Sequence, residues 1–139
     1  MAKLNFEIIT AERIVYSDEV DIIVAPGSEG ELGILPQHAA LMTMLQPGEL
    51  MVRKGNEEDC MFVSGGFMEV RDNKVIVLAD TAERAEDIDT DRAEQARARA
   101  ENRIATHVTD VDLSRARAAM LRSLMRLKVA EKSKKRRSR

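Results

Sequence analysis

Six arginines stand at matched intervals in the C-terminal half of the chain. Arg92, Arg99 and Arg103 occupy offsets 0, 7 and 11, and Arg115, Arg122 and Arg126 repeat those offsets. On a helix turning by about 100° per residue, each trio falls within about 40° of arc. Two cationic ladders along one hairpin repel unless water separates them or anions bridge them. Guanidinium groups grip phosphate and carboxylate oxygens bidentately. Two readings follow from the spacing: a solvated surface, or a polyanion site for phosphate groups, a carboxylate cluster or nucleic acid.

The elements carrying the ladders are legible from punctuation. All 7 glycines and all 3 prolines lie between Pro26 and Gly66, and none follows. Strands are therefore expected first and uninterrupted helices after them. The segment "KLNFEI" alternates Leu4, Phe6 and Ile8 with polar residues, as a half-buried strand does. "EVDIIVAPG" and "KVIVLAD" are runs rich in β-branched residues. Asp72-Asn73 and Gly55-Asn56 sit at the tips of two hairpins. About eight or nine short strands fit before residue 80, with no helical connectors. The expected fold is thus α+β: an N-terminal antiparallel β-sandwich, barrel-like, followed by an antiparallel two-helix hairpin.

The first helix is expected to start near Asp89 to Asp91 and the second near Thr109 or Asp110, where polar side chains can cap. The second is expected to end near Ala130, leaving "EKSKKRRSR" as a disordered basic tail. Ala93, Ala96, Ala100 and Ile104 form the first apolar stripe, and Leu113, Ala116, Met120, Leu124 and Leu127 the second, with Leu121 and Met125 on its flank. A buried leucine stabilises by roughly 1.5–3 kcal/mol, and an alanine by much less. A hairpin so rich in alanine is marginal alone and suited to be a mobile element. Arg97, about 140° round from Arg92, is expected to be solvated.

Charge divides the chain in the same place. Residues 1–83 hold 6 basic and 15 acidic side chains, a net of −9; residues 84–139 hold 16 and 9, a net of +7. An acidic front and a basic back point to different partners. Other classes are excluded. No apolar run reaches 18 residues, so no membrane-spanning helix is expected. "MAKLNFEIIT" lacks the apolar core of a signal peptide. Cys60 is single and reads as core packing in a reducing compartment. Only 4 aromatic residues occur and none follows Phe67, so a base-stacking platform for nucleic acid is lacking. Neither a nucleophile–base pair nor a metal-ligand cluster can be assembled.

The runs "GSEGELGILPQHAALMTMLQPGEL" and "FVSGGFMEVRDNKVIVLADTAERAEDID", with the helical segment after them, closely resemble the epsilon subunit of bacterial F-type ATP synthase over residues 3–131. That resemblance implies a non-catalytic rotor subunit, peripheral on the cytoplasmic face of the plasma membrane and not inserted in it. Its domains would be a sandwich over 1–84 that binds the gamma subunit and the membrane rotor ring, a regulatory hairpin over 85–131, and a tail over 132–139. Glu31 and His38 would contact the rotor. The hairpin would switch between a compact state and an extended one that reaches the beta subunits and restrains hydrolysis, with Arg103 and Arg115 serving that inhibitory contact. No catalytic cofactor is implied, but ATP is, as a regulatory ligand. A motif of the ATP-binding members matches Ile88, Asp89, Arg92 and Ala93, and Glu83, Arg99, Arg122 and Arg126 match further positions. Ile88 and Ala93 would flank adenine, Asp89 or Glu83 would accept from its amino group, and the arginines would neutralise phosphates. The alternative within the family is a purely mechanical brake without ATP sensing.

Overall fold

The computed structural model describes residues 2–106 and 109–137. The chain divides into two compact units between Arg84 and Ala85. In the first unit the strands are β1 (Leu4–Ile9), β2 (Ile14–Val20), β3 (Ile22–Gly27), β4 (Gly30–Ile34), β5 (Leu41–Leu45), β6 (Gly48–Lys54), β7 (Glu57–Val63), β8 (Gly66–Arg71), β9 (Lys74–Ala79) and β10 (Ala82–Arg84). Their order is β10-β7-β6-β3-β5-β8-β9-β1-β2, with β4 paired to β3. The end strand β2 also approaches β6 and β10, so the sheet nearly closes on itself.

Period-2 alternation explains the core. Leu4, Phe6 and Ile8 point inward from β1, Val75 and Val77 from β9, Met68 and Val70 from β8, and Leu50 and Val52 from β6; all are buried. Tyr16 joins this core with its ring 5.8 Å from that of Phe6. Burial, reinforced by the charges of Asp18 and Asp59, pushes its phenol up to about 12. The Arg84 guanidinium lies 5.2 Å above the Tyr16 ring, an attractive cation–π placement that ties down the last residue of the unit.

One pairing departs from the expected antiparallel sheet. β1 lies parallel to β9, from Asn5↔Lys74 to Ile9↔Leu78. Parallel neighbours cannot be joined by a tight turn. Here the rest of the sheet is the crossover, because these strands lie at opposite ends of the unit's sequence. The Asp72-Asn73 loop is a two-residue connection between Arg71 and Lys74, with φ of 50° and 61°. Both positive values are those of the type I′ turn, which Asp and Asn tolerate.

The second unit opens on a 3-10 turn, Ala85–Asp87, and continues as α1 (Thr90–Ala105) and α2 (Asp110–Arg137), which pack along each other. Asp89, in extended backbone conformation, caps α1 by accepting from Arg92 N at 3.0 Å. Thr109 caps α2, its Oγ1 accepting from Asp112 N at 3.1 Å. Two expectations are corrected here. The helix does not stop near Ala130 but runs to Arg137, so 132–137 is no disordered tail; Ser138 and Arg139 lie outside the described residues. Nothing in this segment breaks a helix, Lys, Glu and Arg are good helix formers, and Lys135 pairs with Glu131 one turn away at 3.4 Å. The buried line of α2 also passes through Ala116, Ser123 and Ala130, whereas Leu124 is 41% exposed. Ser123 tolerates burial because its hydroxyl donates to the Ala119 carbonyl at 2.8 Å. On α1, Ala93 and Ala100 are buried at the same seven-residue interval.

An exposed ionic cluster ties two turns of the first unit together. Asp18 accepts from Lys54 Nζ at 3.0 Å and from Glu19 N at 2.8 Å, and Asp21 accepts from Gly55 N at 2.8 Å with Lys3 at 3.5 Å. These bonds, the Lys54 bond foremost for Asp18 and the Gly55 N–H foremost for Asp21, hold both carboxyls below their ordinary value. A group depressed in the folded state adds stability above its unfolded pKa and loses it as pH falls through the folded one. The Asp18→Asn/Asp21→Asn double variant is therefore expected to lose less stability than the unsubstituted chain between pH 6 and about pH 3, measured as the urea midpoint. Equal losses would contradict this.

Candidate functional site

The arginine ladders come out as two rows on neighbouring helices. Arg92, Arg99, Arg103 and Arg115 are exposed, and Arg122 and Arg126 are half-buried. Among the described residues, Arg92, Arg99, Arg103, Arg115 and Arg122 have no ion pair. Arg97 differs, contrary to the expectation that it is simply solvated. It bonds Glu94 through Nε at 2.8 Å and Glu101 through Nη1 at 2.7 Å, one helical turn to either side. These carboxylates hold its guanidinium firmly charged and leave it neutralised on its own helix. Those five arginines are thus set apart from Arg97 by more than their spacing.

The other residues expected around a nucleotide are placed variously. Ile88 and Ala93 lie beside the α1 N-terminus and are only 8% and 5% exposed. Asp89 Oδ1 is engaged as the helix cap. Glu83 belongs to the first unit, in β10 opposite Phe62. Among the described residues no group of three or more His, Cys, Asp or Glu side chains is arranged to hold a metal.

A second surface, on the first unit, was not singled out from the sequence. Cross-strand register places outward-facing side chains in two rows across β5, β8, β9 and β1. One row is Met44, Phe67, Leu78 and Ile9; the other is Met42, Glu69, Ile76 and Glu7. Met42 is 67% exposed, Met44 60% and Leu78 42%. Ile9, Met44, Phe67, Leu78 and Asp80 line a shallow depression of about 410 Å³ with Gly66 in its wall. A Cβ at Gly66 would come within 2.1 Å of the Leu78 carbonyl oxygen, so only glycine permits this approach of β8 to β9. The signal was in "LMTML" and "KVIVLAD", which are apolar in both phases of the alternation. A strand with water on one side has no need of the second phase.

Of the two residues expected to meet a rotor, Glu31 is exposed on β4 opposite Pro26. Beyond β4, residues 35–40 form an irregular loop. His38 N donates to the Leu35 carbonyl at 3.2 Å, and its ring Nδ1 lies 2.7 Å from the Ala39 carbonyl. Leu35 is 54% exposed.

Comparison with known proteins fits this architecture. Residues 3–85 match the family model "ATP synthase, Delta/Epsilon chain, beta-sandwich domain", and residues 86–131 match "ATP synthase, Delta/Epsilon chain, long alpha-helix domain". The ATP synthase epsilon chain of Dehalococcoides mccartyi is 55% identical over 136 residues, covering 97% of both chains. That of Desulforamulus reducens is 48% identical, covering 94% of this chain and 100% of the relative. Among solved structures, a chain of the Euglena gracilis mitochondrial ATP synthase superposes with a TM-score of 0.79 at 24% identity, covering 89% of this chain and 79% of that one. A chain of the Tetrahymena thermophila mitochondrial ATP synthase central stalk and c-ring superposes with a TM-score of 0.67 at 18% identity, covering 93% and 97%. Both domain models match in order across nearly the whole length, and the chain belongs to the delta/epsilon chain family of ATP synthase.

Proposed function

We propose that the chain is a non-catalytic central-stalk subunit of a proton-translocating F-type ATP synthase. It sits at the cytoplasmic membrane face as a peripheral component and couples turning of the rotor ring to the catalytic head. The observation that carries this reading is the outward apolar row Met44, Phe67, Leu78 and Ile9 across β5, β8, β9 and β1, extended by Met42 and Ile76 in the next row. Contiguous exposed apolar surface marks an interaction site. The gamma subunit is the partner that the family membership favours, and Glu7, Glu69 and Asp80 select for lysines or arginines on it. Glu31 and His38 contact the rotor ring. Burying one large apolar side chain stabilises by roughly 1.5–3 kcal/mol. Met44→Asp and Phe67→Asp should each weaken binding to the gamma subunit by about 10–100-fold while leaving the urea midpoint nearly unchanged. Unaltered affinity in both would remove this face from the interface.

The hairpin regulates. ATP binding by Arg92, Arg99, Arg122 and Arg126, with Ile88 and Ala93 toward adenine and Asp89 or Glu83 toward its amino group, favours the compact state. Arg103 and Arg115 serve the extended state against the beta subunits, to which the +7 charge of residues 84–139 is suited. The ladder arginines that lack an ion pair support this reading. A ligand shifts such an equilibrium only by its differential affinity, and a swing from 1:99 to 99:1 needs about 5.5 kcal/mol. Four charge-assisted contacts at roughly 1.5–3 kcal/mol each are sufficient in size. Calorimetric titration of the full chain should show ATP binding, reduced about 10–100-fold by Arg92→Ala or Arg122→Ala. No detectable heat at about 5 mM ATP would leave the coupling role and remove the sensor.

A second reading has support of its own. Asp89 is engaged as a helix cap, and Ile88 and Ala93 are buried, as a purely mechanical brake would allow. Under that reading, deleting residues 88–139 raises ATP hydrolysis by the assembled enzyme, and inhibition by the intact chain does not vary with ATP. Inhibition that relaxes as ATP rises favours the sensor.

A further inference from the structure

We infer that Asn73, at the tip of the β8–β9 hairpin, is the positioning residue for the 35–40 loop that carries His38. The inference rests on the rotor-contact reading for its functional meaning and on this chain's own geometry for its structural part.

The loop has little to hold it. It follows β4 and precedes β5 without regular structure, and Leu35, Gln37, Ala39 and Ala40 are exposed. The bonds of His38, to the carbonyls of Leu35 and Ala39, stay within it. Among the described residues, the one hydrogen bond from 35–40 to a distant segment runs from Gln37 N to Asn73 Oδ1, at 2.7 Å across 36 residues. Gln37 has φ of 69°, a left-handed conformation that a side chain adopts at a cost and keeps only where the surroundings hold it. Its neighbour in sequence is His38. The bond that pins Gln37 therefore sets the direction from which the imidazole leaves the backbone.

Asn73 is well placed for the task because its own backbone is fixed twice. It occupies the second position of the type I′ turn, with φ of 61°. Its carbonyl accepts from Asn5 N at 2.8 Å, at the start of the parallel pairing of β1 with β9. The side-chain amide thus projects from a rigid turn. One residue joins three segments far apart in sequence: the first strand, the β8–β9 turn and the loop. A mobile anchor would cost more ordering entropy on docking.

Two substitutions separate these roles. Asn73→Gly keeps the left-handed backbone and the carbonyl for Asn5 N, and Asp-Gly is a favoured type I′ pair, so the hairpin survives. Only the Oδ1 acceptor is lost. Asn73→Asp keeps an acceptor and tolerates the same φ. In the full chain, exchange of the Gln37 amide followed by NMR should be at least about tenfold faster in Asn73→Gly, with lower backbone order over 35–40. In Asn73→Asp it should stay within about threefold of the unsubstituted chain, and the urea midpoint should change little in either. A Gln37 amide as protected in Asn73→Gly as in the unsubstituted chain overturns the inference, and so does equal acceleration in the two variants. In the assembled ATP synthase, His38→Ala reads the rotor contact separately. Unimpaired coupling there removes that reading, while the exchange rates still decide whether Asn73 positions the loop.

Discussion

The parallel pairing of β1 with β9 is the constraint on which the rest of the first unit depends. It joins the start of the sandwich to its end, and so brings a ten-stranded sheet close to closure. It also sets Ile9 beside Leu78 and Glu7 beside Ile76, extending two rows of side chains across a fourth strand. The outward face is a platform only because of this. A slip of one residue in the register would carry Leu4, Phe6 and Ile8 out of the core and break both rows at once. Leu4, Phe6, Ile8, Val75 and Val77 are all buried, which gives that register its energetic weight.

The hairpin follows a different logic. Most of its buried positions are small, namely Ala93, Ala100, Ala116, Ser123 and Ala130, with Ile88 and Val129 the larger exceptions. Small side chains allow close approach of backbone but remove little area from water, so each contributes far less than a buried leucine. Larger apolar groups are left partly open, with Val111 at 60% and Leu121 and Leu124 at 41%. Arg92, Arg99, Arg103, Arg115 and Arg122, which have no ion pair among the described residues, add repulsion. Weak cohesion and surplus positive charge are the properties that the proposed anion-biased switch needs. Arg97, held by two glutamates, takes no part in that balance.

The fold was largely legible because its signals are local. Alternation marked β1, Asp72-Asn73 and Gly55-Asn56 marked the two hairpins, and Asp89 and Thr109 marked the helix starts. The parallel pairing was not legible, since no local pattern reports which distant strands meet. The end of α2 was missed because a basic segment reads alike whether solvated as helix or as coil. Ser123 rather than Leu124 lies on the buried line, its hydroxyl satisfied by the Ala119 carbonyl, which hydropathy does not register. Of the candidate sites, the arginine ladders were visible as spacing. The outward rows were not, because they exist only once four strands are in register. Asn73 looked like a turn residue and nothing more, since its bond to Gln37 spans 36 residues.

Distance between spin labels at Gly30 and Met120 in the full chain, with and without ATP, tests the central claim that the hairpin is a ligand-biased switch. Saturating ATP should collapse the distribution onto one short distance, and Arg92→Ala with Arg122→Ala should abolish the shift. A distribution that ATP leaves unchanged would contradict it.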